Sequence, residues 1–135
     1  MVYMTYVTGI HALNLPCRLD TCGDWHTSAL KWDDISFADS TESVLGDYGI
    51  EEGHTIPLHN GYYHVANHIR ACLDLLEQGE YAQVQGMKRD FIGNDKYTKE
   101  IFRMVKKLSH SSNWTDINRF MEKEYLLNWK KFIEG

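Results

Sequence analysis

A short segment around residue 23 brings together side chains that could do chemistry. Asp24 and His26 stand two residues apart with Trp25 between them, directly after Cys22 and Gly23. An aspartate can orient and polarise an imidazole, and a tryptophan can stack on a ring or exclude water. We therefore interpret the segment as a candidate site. The alternative is an Asx-turn that carries a buried tryptophan and a surface histidine.

Cysteine and histidine side chains near this segment suit a zinc ion. Cys17, Cys22 and His26 offer thiolate and imidazole ligands, and His11 or His54 could supply a fourth. Structural zinc sites commonly use two tight ligand pairs, whereas this chain has one loose cysteine pair. The alternatives are two small buried cysteines, or a thiolate paired with a histidine, for which no local signature exists.

A second pair, His64 and His68, has the spacing of neighbours on one helix face. At positions i and i+4 the two imidazoles could form a metal clip. The glutamate of the HExxH metalloprotease signature does not follow His64. The alternative is two histidines that pack at the rim of the core.

Carboxylates gather in a glycine-rich stretch that runs from residue 39 to residue 54. Asp39, Asp47, Glu51 and Glu52 could bind Mg²⁺ or, with His54, take part in acid–base catalysis. Loops of this composition often carry function. The alternative is a solvated acidic loop.

The charge of the chain is divided unevenly between its halves. Residues 1–60 hold nine acidic and two basic residues, whereas residues 61–135 hold ten acidic and twelve basic residues, and the formal net charge is −5. Six of the seven histidines also fall before residue 69. An acidic chain is a poor general ligand for nucleic-acid phosphates, so we expect no general nucleic-acid binding.

Other sequence features indicate where the protein works. The three cysteines are an odd number, and the N-terminal segment has neither a basic region nor a small-residue cleavage site. No stretch is apolar enough for a membrane span. We therefore expect a cytoplasmic protein that does not bind membranes.

Residue patterns predict different elements in the two halves. Residues 2–10 predict a strand, residues 30–37 a hairpin or a bulged strand, residues 40–53 a loop and residues 54–58 a short strand. Apolar stripes at helical spacing predict helices over residues 62–78, 81–92 and 97–109, and a final helix capped by Asn113.

Strands followed by helices predict an α+β fold, with a small N-terminal β-sheet and loops packed by about four C-terminal helices. We expect residues 1–135 to form a single domain, with an acidic strand- and loop-rich part over 1–60 and a helical part over 61–135.

The absence of any reaction motif in a short, acidic chain rich in tryptophan and tyrosine favours a non-catalytic function. We expect a protein-binding regulator that is antitoxin-like or inhibitor-like, without a cofactor and with its oligomeric state left open. The alternative is a small hydrolase or transferase with a divalent metal such as Zn²⁺ or Mg²⁺. Its site would consist of six residues: His11, Asp24, His26, Asp39, Asp47 and His54.

Overall fold

A computed structural model describes residues 4–135. Its sheet has four strands, which are β1 (Thr5–Val7), β2 (Phe37–Asp39), β3 (Ile50–His54) and β4 (Tyr63–Ala66). The strand order is β2-β1-β4-β3. Strand β1 pairs antiparallel with β2 and parallel with β4, and β3 pairs antiparallel with β4.

Helices dominate the second half of the chain. The α-helices are α1 (Gly9–Leu13), α2 (His68–Glu77), α3 (Tyr81–Val84), α4 (Thr98–Lys106), α5 (Trp114–Tyr125) and α6 (Leu127–Glu134). A π-helix spans Met87–Ile92, and 3₁₀ segments span Thr27–Ala29, Ser40–Glu42 and Asp95–Tyr97. The predicted α+β fold with an N-terminal sheet and C-terminal helices is confirmed.

Helix α2 lies at the centre of the molecule. Its residues from His68 to Leu76 are all buried, and it packs against α1, α3, α4 and β4. Asn67 caps its N-terminus by accepting a hydrogen bond from the amide of Arg70. A helix that is buried on every side must also bury its polar residues, and these then need partners inside the protein.

The buried polar residues of α2 include an ion pair, whose partners come from α2 itself, from β1 and from the loop before β3. The Arg70 guanidinium is fully buried and donates to the Asp74 carboxylate at 2.8 Å. It also donates to the carbonyl oxygens of Gly46 and Tyr48, at 2.7 Å each, and to the Tyr6 hydroxyl at 2.9 Å. One side chain therefore joins α2 to β1 and to the loop before β3.

The Asp74 carboxylate is held from the strand side as well. The hydroxyls of Tyr6 and Thr8 donate to its second oxygen, at 2.6 Å and 2.5 Å. Burial and the neighbouring Asp74 charge raise the pKa of the Tyr6 phenol, so that it remains a donor. Every hydrogen-bonding oxygen of the carboxylate thus has a partner, as a buried charge requires.

Three sequence predictions for the first half are wrong in detail. Residues 2 and 3 of the predicted strand over 2–10 lie outside the described residues, and the observed strand ends at Val7. Gly9 turns the chain with a φ of 63° and starts helix α1. The predicted loop over 40–53 contains most of β3, and the predicted strand over 54–58 is absent from the described structure because pairing with β4 ends at His54.

The structure also changes the bounds of the remaining predicted elements. Within 30–37 only Phe37 is in a strand, and the predicted helix over 62–78 begins with strand β4 because its residues pair with both β1 and β3. Gly86, with a φ of 90°, separates α3 from the π-helix, and Leu126, with a φ of 55°, divides the final helix. The helix predicted over 97–109 is present as α4.

The Arg70 network makes a direct prediction about stability. In Arg70→Met the Asp74 carboxylate stays buried without its cation, and we expect the free energy of unfolding in urea to fall by about 3–5 kcal/mol. Arg103→Met, at an exposed position on α4, should change it by less than about 0.5 kcal/mol. A loss below about 1 kcal/mol in Arg70→Met would contradict the role given to this pair.

Candidate functional site

The loop after α1 lies against the N-terminus of α2. The amides of Cys22 and Gly23 donate to the carbonyls of Ile92 and Phe91, and the Asp24 amide donates to the Leu13 carbonyl. Gly23 has a φ of 68°, and a Cβ there would lie 2.6 Å from Cε1 of His68. Glycine is therefore required where this loop passes the histidine.

The ring of His68 holds the loop at two points. Its Nε2 lies 2.7 Å from the carbonyl oxygen of Leu15, and its Nδ1 lies 2.7 Å from the Thr21 hydroxyl. Because a carbonyl only accepts, Nε2 carries the hydrogen. The Thr21 hydroxyl in turn lies 3.5 Å from the Cys17 sulfur. A continuous chain therefore runs from Cys17 through Thr21 to His68.

Charge interactions act on both ends of this chain. Burial opposes ionisation of the Cys17 thiol, but the nearby His68 imidazole and the hydrogen bond to Thr21 outweigh burial and lower the thiol pKa. Burial likewise opposes the charged form of His68, but hydrogen bonding to Cys17 and Leu15 and the charges of Cys17 and Glu51 raise the imidazole pKa. Both shifts make a thiolate beside an imidazolium easier to form than it is for an isolated thiol and imidazole.

A cavity of about 410 Å³ opens beside this chain of hydrogen bonds. That volume is in the usual range for small-molecule sites. Its wall consists of Leu13, Asn14, Leu15, Pro16, Cys17, Thr21, Cys22, Asp24, Trp25, Thr27 and His68. The thiol, its hydroxyl and imidazole partners and the predicted Asp24–Trp25 segment thus share one cavity.

Asp24 and His26 contact each other, as their spacing suggests. The His26 Nδ1–H donates to the Asp24 carboxylate at 2.5 Å. The Trp25 amide donates to the same oxygen at 2.8 Å, and the Asn14 side chain donates to the other oxygen at 3.1 Å. Asn14 also accepts from the His26 amide at 2.9 Å. The turn is therefore fixed through both side-chain and backbone groups.

These contacts control the charge of Asp24 and leave its neighbours exposed. Burial would raise the pKa of the Asp24 carboxyl, but hydrogen bonds from His26, Asn14 and the Trp25 amide outweigh burial and lower it. The His26 side chain is 75% exposed. Trp25 is 83% exposed, so the alternative of a buried tryptophan in this turn is wrong.

His11 is a packing residue in this structure. Its Nε2 lies 3.0 Å from the Lys31 carbonyl, its Nδ1 accepts from the Ser36 amide at 3.3 Å, and its ring meets the edge of Trp32 at 5.1 Å. These contacts occupy both ring nitrogens and keep the imidazole away from Asp24 and His26.

The other residues of the predicted hydrolase site also have local partners. Asp39 accepts from the Thr41 amide at 2.9 Å, and His54 contacts Glu51 at 2.7 Å. Asp47 is exposed. Of the six residues, Asp24 and His26 are the pair that the structure brings together.

The predicted metal sites differ from the observed positions of their residues. His64 lies on β4, whereas His68 is the first residue of α2, so the expectation that they share a helix face is wrong. The Cys17 sulfur is hydrogen bonded to the Thr21 hydroxyl, and the His26 ring donates to Asp24. Over residues 4–135, no group of three or more histidine, cysteine or acidic side chains could hold a metal ion.

Sequence patterns missed the partnership of Cys17, Thr21 and His68. Thr21 and His68 are 47 residues apart, and their contact depends on how the loop crosses α2. Asn14 was missed for a similar reason, because its role depends on the close approach of α1 to the turn at Asp24. The glycine before Asp24 is the signal in the sequence that could have indicated a close approach, because glycine is the usual residue where the backbone passes near another group.

Comparison with protein-family models, with curated proteins and with solved structures finds no match to this chain. Among the described residues, no helix has both the length and the apolar character needed to cross a bilayer.

The lowered pKa of Asp24 predicts a pH-dependent contribution to stability. The charged carboxylate stabilises the fold above its unfolded value of 3.8, and this contribution is lost as the pH falls through the lowered folded value. The difference in free energy of unfolding between wild type and Asp24→Asn should therefore be largest near about pH 6 and shrink toward about pH 2.

Asp47→Asn is the matched control, because Asp47 is exposed. Its free energy of unfolding should follow that of wild type throughout the titration. A difference between wild type and Asp24→Asn that stays constant with pH would contradict the interpretation.

Proposed function

We propose that this protein works by binding another protein, with the segment around Trp25 as the main contact. The observation that carries the proposal is the exposure of Trp25, at 83%, on a turn that hydrogen bonds hold in place. Tryptophan is the residue type most enriched at the energetic centres of protein interfaces. A fixed turn also loses little conformational freedom when it binds.

A second exposed apolar loop is joined to this turn. The Trp32 indole donates to the Thr27 carbonyl at 2.9 Å, and His59 contacts the Trp32 carbonyl at 2.6 Å. Beside His59, Leu58 is 84% exposed and has a positive φ of 69°. Backbone strain at an exposed apolar residue is typical of positions kept for function. Loop 55–62 can therefore extend the contact surface.

The charge of the first half indicates the character of the partner. Residues 1–60 carry nine acidic and two basic residues. The exposed acidic residues of this half are Asp20, Asp33, Asp34, Glu42, Asp47 and Glu52. Acidic surfaces attract basic surfaces and repel acidic ones. A regulator or inhibitor that covers a basic protein surface, in the manner of an antitoxin, fits these charges best.

The hydrolase or transferase alternative has less support. Its six residues do not surround one cavity, and four of them are engaged or exposed elsewhere. Asp24 orients the exposed His26 imidazole beside Trp25. An imidazole held in this way can serve in a protein interface as well as in catalysis.

The test compares capture by wild type, Trp25→Ala and Leu127→Ala from an extract of the native cell at low salt. Leu127 is the matched control, because it is 66% exposed on α6 in the basic half. We expect a protein that wild type and Leu127→Ala retain equally, and that Trp25→Ala binds at least about tenfold more weakly.

A photo-crosslinking residue in place of the exposed Ser28, with Trp25 kept, should become joined to the same protein. Equal retention of every captured protein by Trp25→Ala would contradict the proposal. So would the recovery of no protein by wild type.

A further inference from the structure

The thiol of Cys17 differs in its surroundings from the other two cysteines. Cys22 is exposed, and Cys72 is fully buried in α2, where burial raises the pKa of its thiol. Cys17 is half-buried and lies on the wall of the 410 Å³ cavity, next to Thr21 and His68. It therefore combines access for a small molecule with partners for its proton.

The hydrogen-bond chain can pass a proton without moving any heavy atom. With a neutral His68, the Cys17 S–H donates to Thr21, and the Thr21 O–H donates to Nδ1 of His68. If each proton moves across its hydrogen bond to the acceptor, Cys17 becomes a thiolate that accepts from the Thr21 hydroxyl. His68 becomes an imidazolium that donates to the Thr21 oxygen. The Nε2–H to Leu15 bond is present in both states.

Several other titratable groups face this chain. Glu51, on β3, favours the charged imidazole of His68, and its own carboxylate accepts from the Arg18 amide and contacts His54. Asp24 and Cys22 lie on the cavity wall. The Glu51 carboxylate thus supports the ion-pair state from the side of the sheet.

We propose that Cys17 is a thiol-exchange site that forms a mixed disulfide with a low-molecular-weight disulfide entering the cavity. Disulfide exchange needs a thiolate, an access route and a proton for the leaving thiolate. The hydrogen-bond chain supplies the first and the third, and the cavity supplies the second. This inference is independent of the protein-binding proposal.

The reaction balances without a further reactant. The Cys17 thiolate attacks one sulfur of the small disulfide, a new S–S bond forms, and the original S–S bond breaks. The departing thiolate takes the proton held by the His68 imidazolium, through Thr21 or through solvent. The products are a mixed disulfide on Cys17, a neutral His68 and one free small thiol.

The size of the cavity suits small disulfides. A volume of about 410 Å³ accommodates a compact molecule, and Leu15 and Trp25 provide apolar walls beside the thiol. Small uncharged disulfides are therefore the substrates that the site fits.

The experiment measures the rate at which each cysteine of the purified protein reacts with bis(2-hydroxyethyl) disulfide, with EDTA present throughout. Peptide mass spectrometry separates Cys17 from Cys22. At neutral pH we expect Cys17 to react faster than Cys22 despite its lower exposure, and its pH–rate midpoint to lie below that of an ordinary thiol.

Three variants separate the hydrogen-bond chain from general effects on the loop. His68→Gln and Thr21→Val should each slow the reaction of Cys17 at neutral pH by at least about fivefold. Thr21→Val leaves the His68 to Leu15 bond intact, so it remains informative if His68→Gln unfolds. His64→Gln, on β4, should leave the rate unchanged.

Two results would overturn the proposal. One is a Cys17 rate at or below that of Cys22 at neutral pH. The other is a Cys17 rate that both His68→Gln and Thr21→Val leave unchanged while circular dichroism shows the wild-type fold. Neither result would bear on partner capture through Trp25, so the two proposals fail separately.

Discussion

The buried ion pair between Arg70 and Asp74 is the interaction on which the rest of the structure depends. It places two charges in the core, where each must be matched by partners at fixed positions. Those partners are the hydroxyls of Tyr6 and Thr8 and the carbonyls of the loop before β3. Because they come from separate parts of the chain, the position of α2 relative to the sheet is tightly determined.

The geometry of the candidate site depends on this position of α2. His68 lies in the first turn of α2, two residues before Arg70, so the network that fixes the helix also fixes the imidazole. The imidazole then binds the loop that carries Cys17, Thr21 and Gly23. That loop continues into the turn that exposes Trp25. The thiol on the cavity wall and the exposed indole of Trp25 therefore depend on the same histidine.

What could be predicted from the sequence follows from the range of the interactions involved. The α+β class and helix α4 follow from local periodicity, and both predictions are confirmed. Helix α2 begins later than predicted because pairing of β4 with two strands overrides the helical pattern before Asn67. The contact between Asp24 and His26 is local and was predicted. The contact between Thr21 and His68 joins residues 47 positions apart, and no local pattern encodes it.

The most direct test is to determine the tautomer and charge of His68. Both can be read from the ¹⁵N chemical shifts of its ring by NMR across a pH titration. The account predicts that Nε2 carries its hydrogen throughout, because it donates to the Leu15 carbonyl. It also predicts that Nδ1 loses its proton only above the ordinary histidine pKa of 6.5. A neutral ring protonated at Nδ1, or one that titrates at or below that value, would contradict it.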